Sequence, residues 1–142
     1  MKPYLRGGVI LLILTVIACS GGNTTSSGGP TEFAGTYLGT VSTNGVASPL
    51  RVNVTMDGFV LMDATGGIVC PGDLPASIGL DGNKFSSTTT EQCVFGGLPC
   101  PVNTSVSGSV SASALTGSGQ VLLGCPNAPT QPIPFTFQAL EQ

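Results

Sequence analysis

The sequence contains no histidine, and this absence bears first on catalysis. Without an imidazole general base, the Ser–His and Cys–His pairs of nucleophilic catalysis are excluded. Lys84 could act as a base only from Asp81-Gly82-Asn83-Lys84, which has the composition of an exposed turn. Asp57 and Asp63 lie six positions apart, so on one strand they would be separated by about 20 Å, too far for a catalytic carboxylate pair. We therefore predict no catalytic residue, no cofactor and no enzymatic activity.

Charge is the second scarcity, since charged residues make up 8% of the chain. Between residues 31 and 142 the only basic side chains are Arg51 and Lys84, and the acidic ones are Glu32, Asp57, Asp63, Asp73, Asp81, Glu91 and Glu141. This segment is acidic and has no basic patch that could neutralise phosphates. Nucleic acid is therefore excluded as a partner, and so is electrostatic binding to an anionic membrane surface.

A metal-binding pattern is also missing. The last four cysteines are separated by 22, 6 and 24 residues, whereas zinc ligands come in closely spaced pairs. The segment Asp81-Gly82-Asn83 is similar to the start of a calcium loop, but the later ligands of such a loop do not follow. We predict no metal site.

What the sequence does contain begins with a targeting segment at residues 1–18. Lys2 and Arg6 precede an apolar run that begins at Val9 and continues to Ile17. The run is shorter than the roughly 20 residues that a membrane-spanning helix needs, which favours a cleaved signal peptide. Directly after it stands Val16-Ile17-Ala18-Cys19, an aliphatic residue, an apolar residue, a small residue and a cysteine. This pattern resembles the lipobox of bacterial lipoproteins. The alternative is an ordinary signal peptide with a chance cysteine.

The lipoprotein resemblance implies that Cys19 carries a diacylglycerol and becomes the first residue of the mature protein. Two or three acyl chains give lasting membrane attachment, because each buried methylene contributes about 0.8 kcal/mol. In enteric members of the family, an aspartate after the cysteine retains the protein in the inner membrane. Ser20 stands there instead, which favours the outer membrane. The expected location is thus the bacterial cell envelope.

Residues 19–30 are predicted to join this anchor to a folded domain. After Cys19 the segment consists of glycine, serine, threonine, asparagine and one proline, the composition of a flexible tether. A tether of this length has a root-mean-square reach on the order of 20 Å. The single folded domain is expected at residues 31–142.

The domain is predicted to be all-β. Residues 36–41, 50–56 and 133–140 alternate apolar and polar side chains, the period of half-buried strands. Turn signals at Asn44-Gly45, Asp57-Gly58, Gly66-Gly67 and Asp81-Gly82 separate such runs. This spacing predicts an antiparallel meander of about eight strands. We favour a small closed or partly open barrel over a sandwich, because closure removes exposed edges.

The cysteine count supports two disulfides. With Cys19 assigned to lipid, Cys70, Cys93, Cys100 and Cys125 form an even set suited to an oxidising compartment. Residues 66–71 and 96–101 are similar to each other, which suggests a duplicated hairpin. Turns centred at Asp81-Gly82 and at Ala112-Ser113 would place Cys70 opposite Cys93 and Cys100 opposite Cys125. We favour this pairing over the two other connectivities.

Three functions remain open: a binding or surface-interaction module, a carrier of a small hydrophobic ligand, and a hydrolase inhibitor. The third follows from a resemblance in anchor and architecture to bacterial lysozyme inhibitors, some of which are lipoproteins with small disulfide-containing barrels.

Two features could serve recognition, the aromatic residues and the proline-rich segment 125–134. We expect the aromatic residues to pack in the core and the segment to form a stiff loop. Partners would be the membrane, through Cys19, and a protein or small apolar ligand. The aromatic set is Phe33, Tyr37, Phe59, Phe85, Phe95, Phe135 and Phe137.

Overall fold

A computed structural model describes residues 31–142, so the predicted signal segment, the lipobox with Cys19 and the tether lie outside the described residues. The described chain is all-β, as predicted. Its eight strands are β1 (Gly35–Thr43), β2 (Val46–Val54), β3 (Phe59–Ala64), β4 (Ile78–Asp81), β5 (Lys84–Phe95), β6 (Leu98–Val110), β7 (Ala114–Leu123) and β8 (Ile133–Glu141). No helix among these residues is long and apolar enough to cross a membrane.

The strands form a closed antiparallel barrel. Each strand pairs with the next along the chain, and β1 pairs with β8 from Tyr37–Glu141 to Thr43–Phe135, which closes the sheet. The preference for a barrel over a sandwich is therefore confirmed. Asn44-Gly45, Gly58 and Gly82 form turns as predicted, and each of these residues has a positive φ. Gly96-Gly97 forms a further hairpin turn, between β5 and β6, that the turn signals did not include.

Phenylalanine rings and glycines together fill the barrel interior. Phe85 lies opposite Gly108, Phe137 opposite Gly117, and Phe135 opposite Gly119 on the neighbouring strand. A Cβ atom on any of these glycines would collide with the ring that it faces. The three phenylalanines are buried, and the Phe85 and Phe137 ring centroids are 6.2 Å apart. Interior glycines thus provide the space that large rings need in a narrow barrel.

The two ends of the barrel differ. Because consecutive strands are antiparallel, their connections alternate between the ends. One end carries the turn at 44–45, the loop 65–77, the turn at 96–97 and the loop 124–132. We call this the disulfide end. The other, which we call the entry end, carries three short turns and the start of the domain, where the backbone N–H of Thr31 donates to the Met56 carbonyl at 3.3 Å.

Candidate functional site

Two disulfides fasten the long loops to the barrel. Cys70 bonds to Cys93, and Cys100 bonds to Cys125, the connectivity that we favoured. Cys93 and Cys100 lie directly opposite each other on β5 and β6, so each strand holds one loop cysteine. The predicted turn centre at Ala112-Ser113 gives the observed β6–β7 register, and Gly124 still donates to the Pro101 carbonyl beside Cys100 and Cys125 in continuation of that ladder. Cys70 instead lies in the loop 65–77, so the two similar segments do not adopt equivalent structures.

Asp73 organises the loop 65–77 from within. Its fully buried carboxylate accepts hydrogen bonds from three consecutive backbone N–H groups, those of Ile68, Val69 and Cys70, at 2.6–3.1 Å. The Asp73 carbonyl accepts a hydrogen bond from the buried Thr104 hydroxyl at 2.5 Å. A buried carboxylate is tolerated where donors of this kind surround it. The loop therefore has a defined shape that a disulfide and a carboxylate both maintain.

The four connections of the disulfide end carry no exposed charge. Among the four connections at this end, Asp73 is the only ionisable side chain, and it is buried. Apolar side chains project instead at the tip of the β5–β6 hairpin, where Val94 is 66% and Leu98 is 60% exposed. Cores of protein interfaces share this composition, because burying apolar side chains is favourable and burying charge is costly. The end is thus chemically suited to contact another macromolecule.

The barrel wall has a second distinctive region, between β3 and β5. Strand β4 pairs with β5 only at Leu80–Phe85 and Asp81–Lys84, whereas β5 continues for ten further residues to Phe95. Because β4 begins at Ile78, no strand flanks this side of β5 from Thr88 onward within residues 31–142. A gap therefore separates β3 from β5 in the half of the wall nearer the disulfide end, and we call this gap the slot.

Burial along β5 shows that the slot is open to solvent. Ser87, Thr89 and Glu91 lie opposite Val106, Thr104 and Val102, which are all buried. Yet Ser87 and Thr89 are only partly buried and Glu91 is exposed. The Thr89 hydroxyl oxygen is itself shielded from solvent and has no hydrogen-bond partner within the described chain. Inward-facing positions of this kind are expected where a neighbouring strand is missing.

A groove with a volume of about 800 Å³ begins at the slot and continues across the outer face of β5, β6 and β7. Phe59 and Ser77–Gly79 line one side, and Ser86–Thr88 line the other. Of the described residues that line this groove, none is charged. Its chemistry is that of hydroxyl groups and backbone.

The structure separates the acidic residues that were considered as a pair. Asp57 lies in the turn after β2, and Asp63 lies on the outer face of β3. Lys84 is exposed as predicted, but it begins β5, because the turn lies at Gly82-Asn83 and not at Asp81-Gly82. Segment 125–134 forms the loop into β8 and the first residues of that strand. Phe135 and Phe137 pack in the core, as do Tyr37 and Phe85. Within residues 31–142, no group of three His, Cys, Asp or Glu side chains is placed to hold a metal ion.

The slot and the role of Asp73 were not predicted from the sequence. A signal for the slot exists, because Phe85 and Cys93 point inward on β5 and the intervening inward positions are Ser87, Thr89 and Glu91. Comparison with known proteins adds no functional site. The sequence matches no protein-family model, and neither a curated protein nor a solved structure matches the chain.

Proposed function

We propose that this protein is a lipid-anchored bacterial envelope protein whose barrel acts as a binding module, with the disulfide end as its interaction surface. Cys19 would carry the lipid, with the outer membrane favoured by Ser20. The membrane would then be a partner through the lipid, and the ligand of the disulfide end would be a protein.

The observation that carries this proposal is the position of the chain entry. Thr31 lies beside Met56 at the entry end, opposite both long loops and both disulfides. An anchor that is attached through the flexible tether ending at residue 30 would favour orientations in which the entry end is nearer the membrane than the disulfide end. Two cross-linked loops and an uncharged apolar tip are then presented where a partner can reach them.

The barrel interior supports a binding module over a carrier of a small hydrophobic ligand. Carriers enclose an apolar cavity that their side chains leave free. Here Phe85, Phe135 and Phe137 lie in the interior with little exposure and pack against one another. The functional surface is therefore assigned to the outside of the barrel. A hydrolase inhibitor would be one particular form of the same binding module.

Site-specific photo-crosslinking in the native envelope tests the proposal. A photoreactive residue at Thr130, in the loop 124–132, should give a discrete protein adduct in the membrane fraction. The same residue at Asn83, in an entry-end turn, is the matched control and should not give that adduct. Adducts of equal yield from both positions, or from Asn83 alone, would remove the disulfide end as the interaction surface.

The anchor is tested separately by Cys19→Ala. We expect the variant to lose incorporation of radiolabelled fatty acid and to leave the membrane fraction, while the unaltered chain keeps both properties. If the Cys19→Ala chain retained labelled lipid and membrane attachment, the lipoprotein assignment would be wrong.

A further inference from the structure

The slot exposes backbone hydrogen-bonding groups of β5 in a regular row. In an antiparallel pair that closes in a two-residue turn, the residues flanking the turn exchange both backbone hydrogen bonds, and this pattern alternates along the strand. Phe95 and Leu98 flank the Gly96-Gly97 turn, so the odd-numbered residues of β5 bond to β6. Asp81 and Lys84 flank the Gly82-Asn83 turn, so the even-numbered residues bond toward β4. Both hairpins therefore give the same assignment.

Between β4 and the disulfide end, the even-numbered residues of β5 have no neighbouring strand to bond within residues 31–142. The N–H and C=O groups of Thr88, Thr90 and Gln92 point into the slot, and no backbone hydrogen bond joins them to another segment of residues 31–142. Loop 65–77 is fastened beside this edge by the Cys70–Cys93 bond. Within residues 31–142, its backbone–backbone hydrogen bonds go to the carbonyls of Ala64 and Cys70, and none joins the loop to β5.

Features that normally prevent strand addition at such an edge include prolines, lysines, bulges, very short length, inward-pointing charged residues and a covering loop. Of these side-chain features, residues 86–92 carry one, the charge at the inward position Glu91. Residues 86–92 contain no proline, no lysine and no glycine, and they include three consecutive threonines, a residue type that favours strands. Thr88, Thr90 and Gln92 are exposed along this edge, and Ser87 and Thr89 between them are half-buried. The edge is thus both accessible and suited to accept one more strand.

Charge indicates the kind of strand that fits. The charged side chains beside the slot are Glu91 on β5 and Asp63 on β3, both exposed, and only Asp63 has a cation, Arg51, in the opposite register position. The described domain as a whole is acidic. An extended peptide with a basic residue would therefore gain electrostatic complementarity as well as backbone hydrogen bonds.

From these observations we propose that the slot-facing edge of β5 at Thr88–Gln92 binds an extended peptide segment with a basic residue, which adds to the barrel as a β-strand. Backbone hydrogen bonds supply affinity in this mode, and alternate side chains supply specificity. The inference extends the proposed function, a binding module, by naming a surface on its flank and a partner class. Its test uses unlipidated protein in solution, so its outcome is independent of the anchor at Cys19.

The experiment uses the chain from residue 19 with Cys19→Ser and a panel of short peptides. Each peptide alternates hydroxyl and β-branched side chains and has a lysine at each end. A matched panel has identical side chains but N-methyl groups on alternate amides. We expect saturable binding by fluorescence anisotropy, at least tenfold weaker affinity for the N-methylated peptides, and at least tenfold slower amide exchange at Thr88 and Thr90 when peptide is bound.

Two substitutions at position 88 distinguish the contribution of the backbone N–H to peptide binding from that of the side chain. Thr88→Pro removes an N–H that faces the slot and leaves the β6 ladder intact, so we expect at least tenfold weaker binding. Thr88→Ala keeps that N–H and should bind as the parent does. Circular dichroism verifies the fold of both variants, and the N-methylated panel gives the same information on unaltered protein if Thr88→Pro fails to fold.

Several outcomes would overturn the proposal. Absence of saturable binding across the panel, equal affinity for N-methylated peptides, or amide protection confined to the disulfide end would each exclude strand addition at β5. Dimerisation without peptide, with protection at Thr88 and Thr90, would assign the edge to a second copy of this chain instead.

Discussion

Thr89 and Thr104 are the same residue type at opposed positions of β5 and β6, and their hydroxyls have different surroundings. The Thr104 hydroxyl donates to the Asp73 carbonyl and so connects the barrel wall to the loop 65–77. The Thr89 hydroxyl oxygen is shielded from water and has no hydrogen-bond partner among residues 31–142. A buried polar group contributes to stability only when it is hydrogen-bonded. We therefore expect the Thr104 hydroxyl to stabilise the folded state and the Thr89 hydroxyl to destabilise it.

Replacement of each threonine by valine, which has nearly the same shape, tests this difference. Thr104→Val leaves a buried carbonyl unsatisfied and should lower the free energy of unfolding by about 1–3 kcal/mol. Thr89→Val removes an unsatisfied hydroxyl and should leave that free energy unchanged or raise it by up to about 1 kcal/mol. Urea unfolding of both variants, with unchanged m-values, measures the two effects. Equal losses in both variants would contradict the account.

Tyr37 gives the domain a predictable response to alkaline pH. Its side chain is buried, and its hydroxyl donates to the Phe33 carbonyl at 2.9 Å, with the Ser111 carbonyl at 3.2 Å. Burial, and secondarily the negative charge of Glu141, raise the pKa of Tyr37 above its usual 10.0. The folded state therefore holds the phenol proton at pH values where the unfolded chain has lost it.

The sign of the pH effect follows from this difference in bound protons. Below pH 10 the phenol is neutral in both states, and its contribution to stability is fully present. Above pH 10 the folded state binds more protons than the unfolded state, so the free energy of unfolding should fall as pH rises toward the folded pKa. Absorbance at 295 nm reports the phenol directly, because Tyr37 is the only tyrosine in residues 19–142 and the chain has no tryptophan.

Tyr37→Phe is the control for the alkaline transition. It should remove the part of the alkaline slope that the phenol causes, and at neutral pH it should cost about 1 kcal/mol through the lost hydrogen bond. An unaltered slope in Tyr37→Phe would assign the alkaline transition to other groups.

At the scale of the elements, local signals predict the hairpins well. Asn44-Gly45 and Asp57-Gly58 provide residues that tolerate positive φ and form turns between consecutive strands. The third turn lies at Gly82-Asn83, one residue later than the predicted centre at Asp81-Gly82, because Asp81 still pairs with Lys84 at the end of β4. The alternating runs within β1, β2 and β8 were recognised because one face of each is buried and the other is wet. These features depend on neighbouring residues alone, which is why sequence reasoning finds them.

Other features depend on residues that are distant in sequence. The fit of Phe137 over Gly117 joins β8 to β7 and is invisible in either strand alone, since a strand glycine has no preference that reveals its opposite partner. The slot arises because Pro71, Gly72 and Pro75 interrupt the chain before β4 and leave that strand short, while β5 remains long. Its position becomes evident only when the register of β5 against both neighbours is known.

The close packing of an interior glycine, Gly117, against the Phe137 ring can be tested by substitution. Gly117→Ala places a methyl group against the Phe137 ring and the Ser107 carbonyl, so we expect the free energy of unfolding to fall by about 1–3 kcal/mol. Phe137→Leu in the same chain should recover part of the loss by vacating the ring position. A double-mutant cycle from urea unfolding measures the coupling, and additive losses would show that the two residues do not compete for space.

At the scale of the whole molecule, the two disulfides should have similar effects on the unfolded chain and different effects on the folded barrel. Cys70–Cys93 and Cys100–Cys125 span 23 and 25 residues, so in the chain-entropy model each lowers the entropy of the unfolded chain to a similar extent, worth about 3 kcal/mol. In the folded barrel their surroundings are not alike. Cys125 follows Gly124, which remains bonded to β6, whereas Cys70 lies in a loop that no ladder holds.

This contrast yields a prediction that separates global from local stability. The double variants Cys70→Ser/Cys93→Ser and Cys100→Ser/Cys125→Ser should lose similar free energies of unfolding, about 3 kcal/mol each. Loss of Cys70–Cys93 should in addition accelerate amide exchange throughout the loop 65–77, since only the Asp73 carboxylate then holds Ile68 and Val69. Loss of Cys100–Cys125 should affect the loop 124–132 and spare the loop 65–77. Exchange measured by mass spectrometry distinguishes the two, and equal acceleration of both loops in both variants would show that the disulfide end behaves as one cooperative unit.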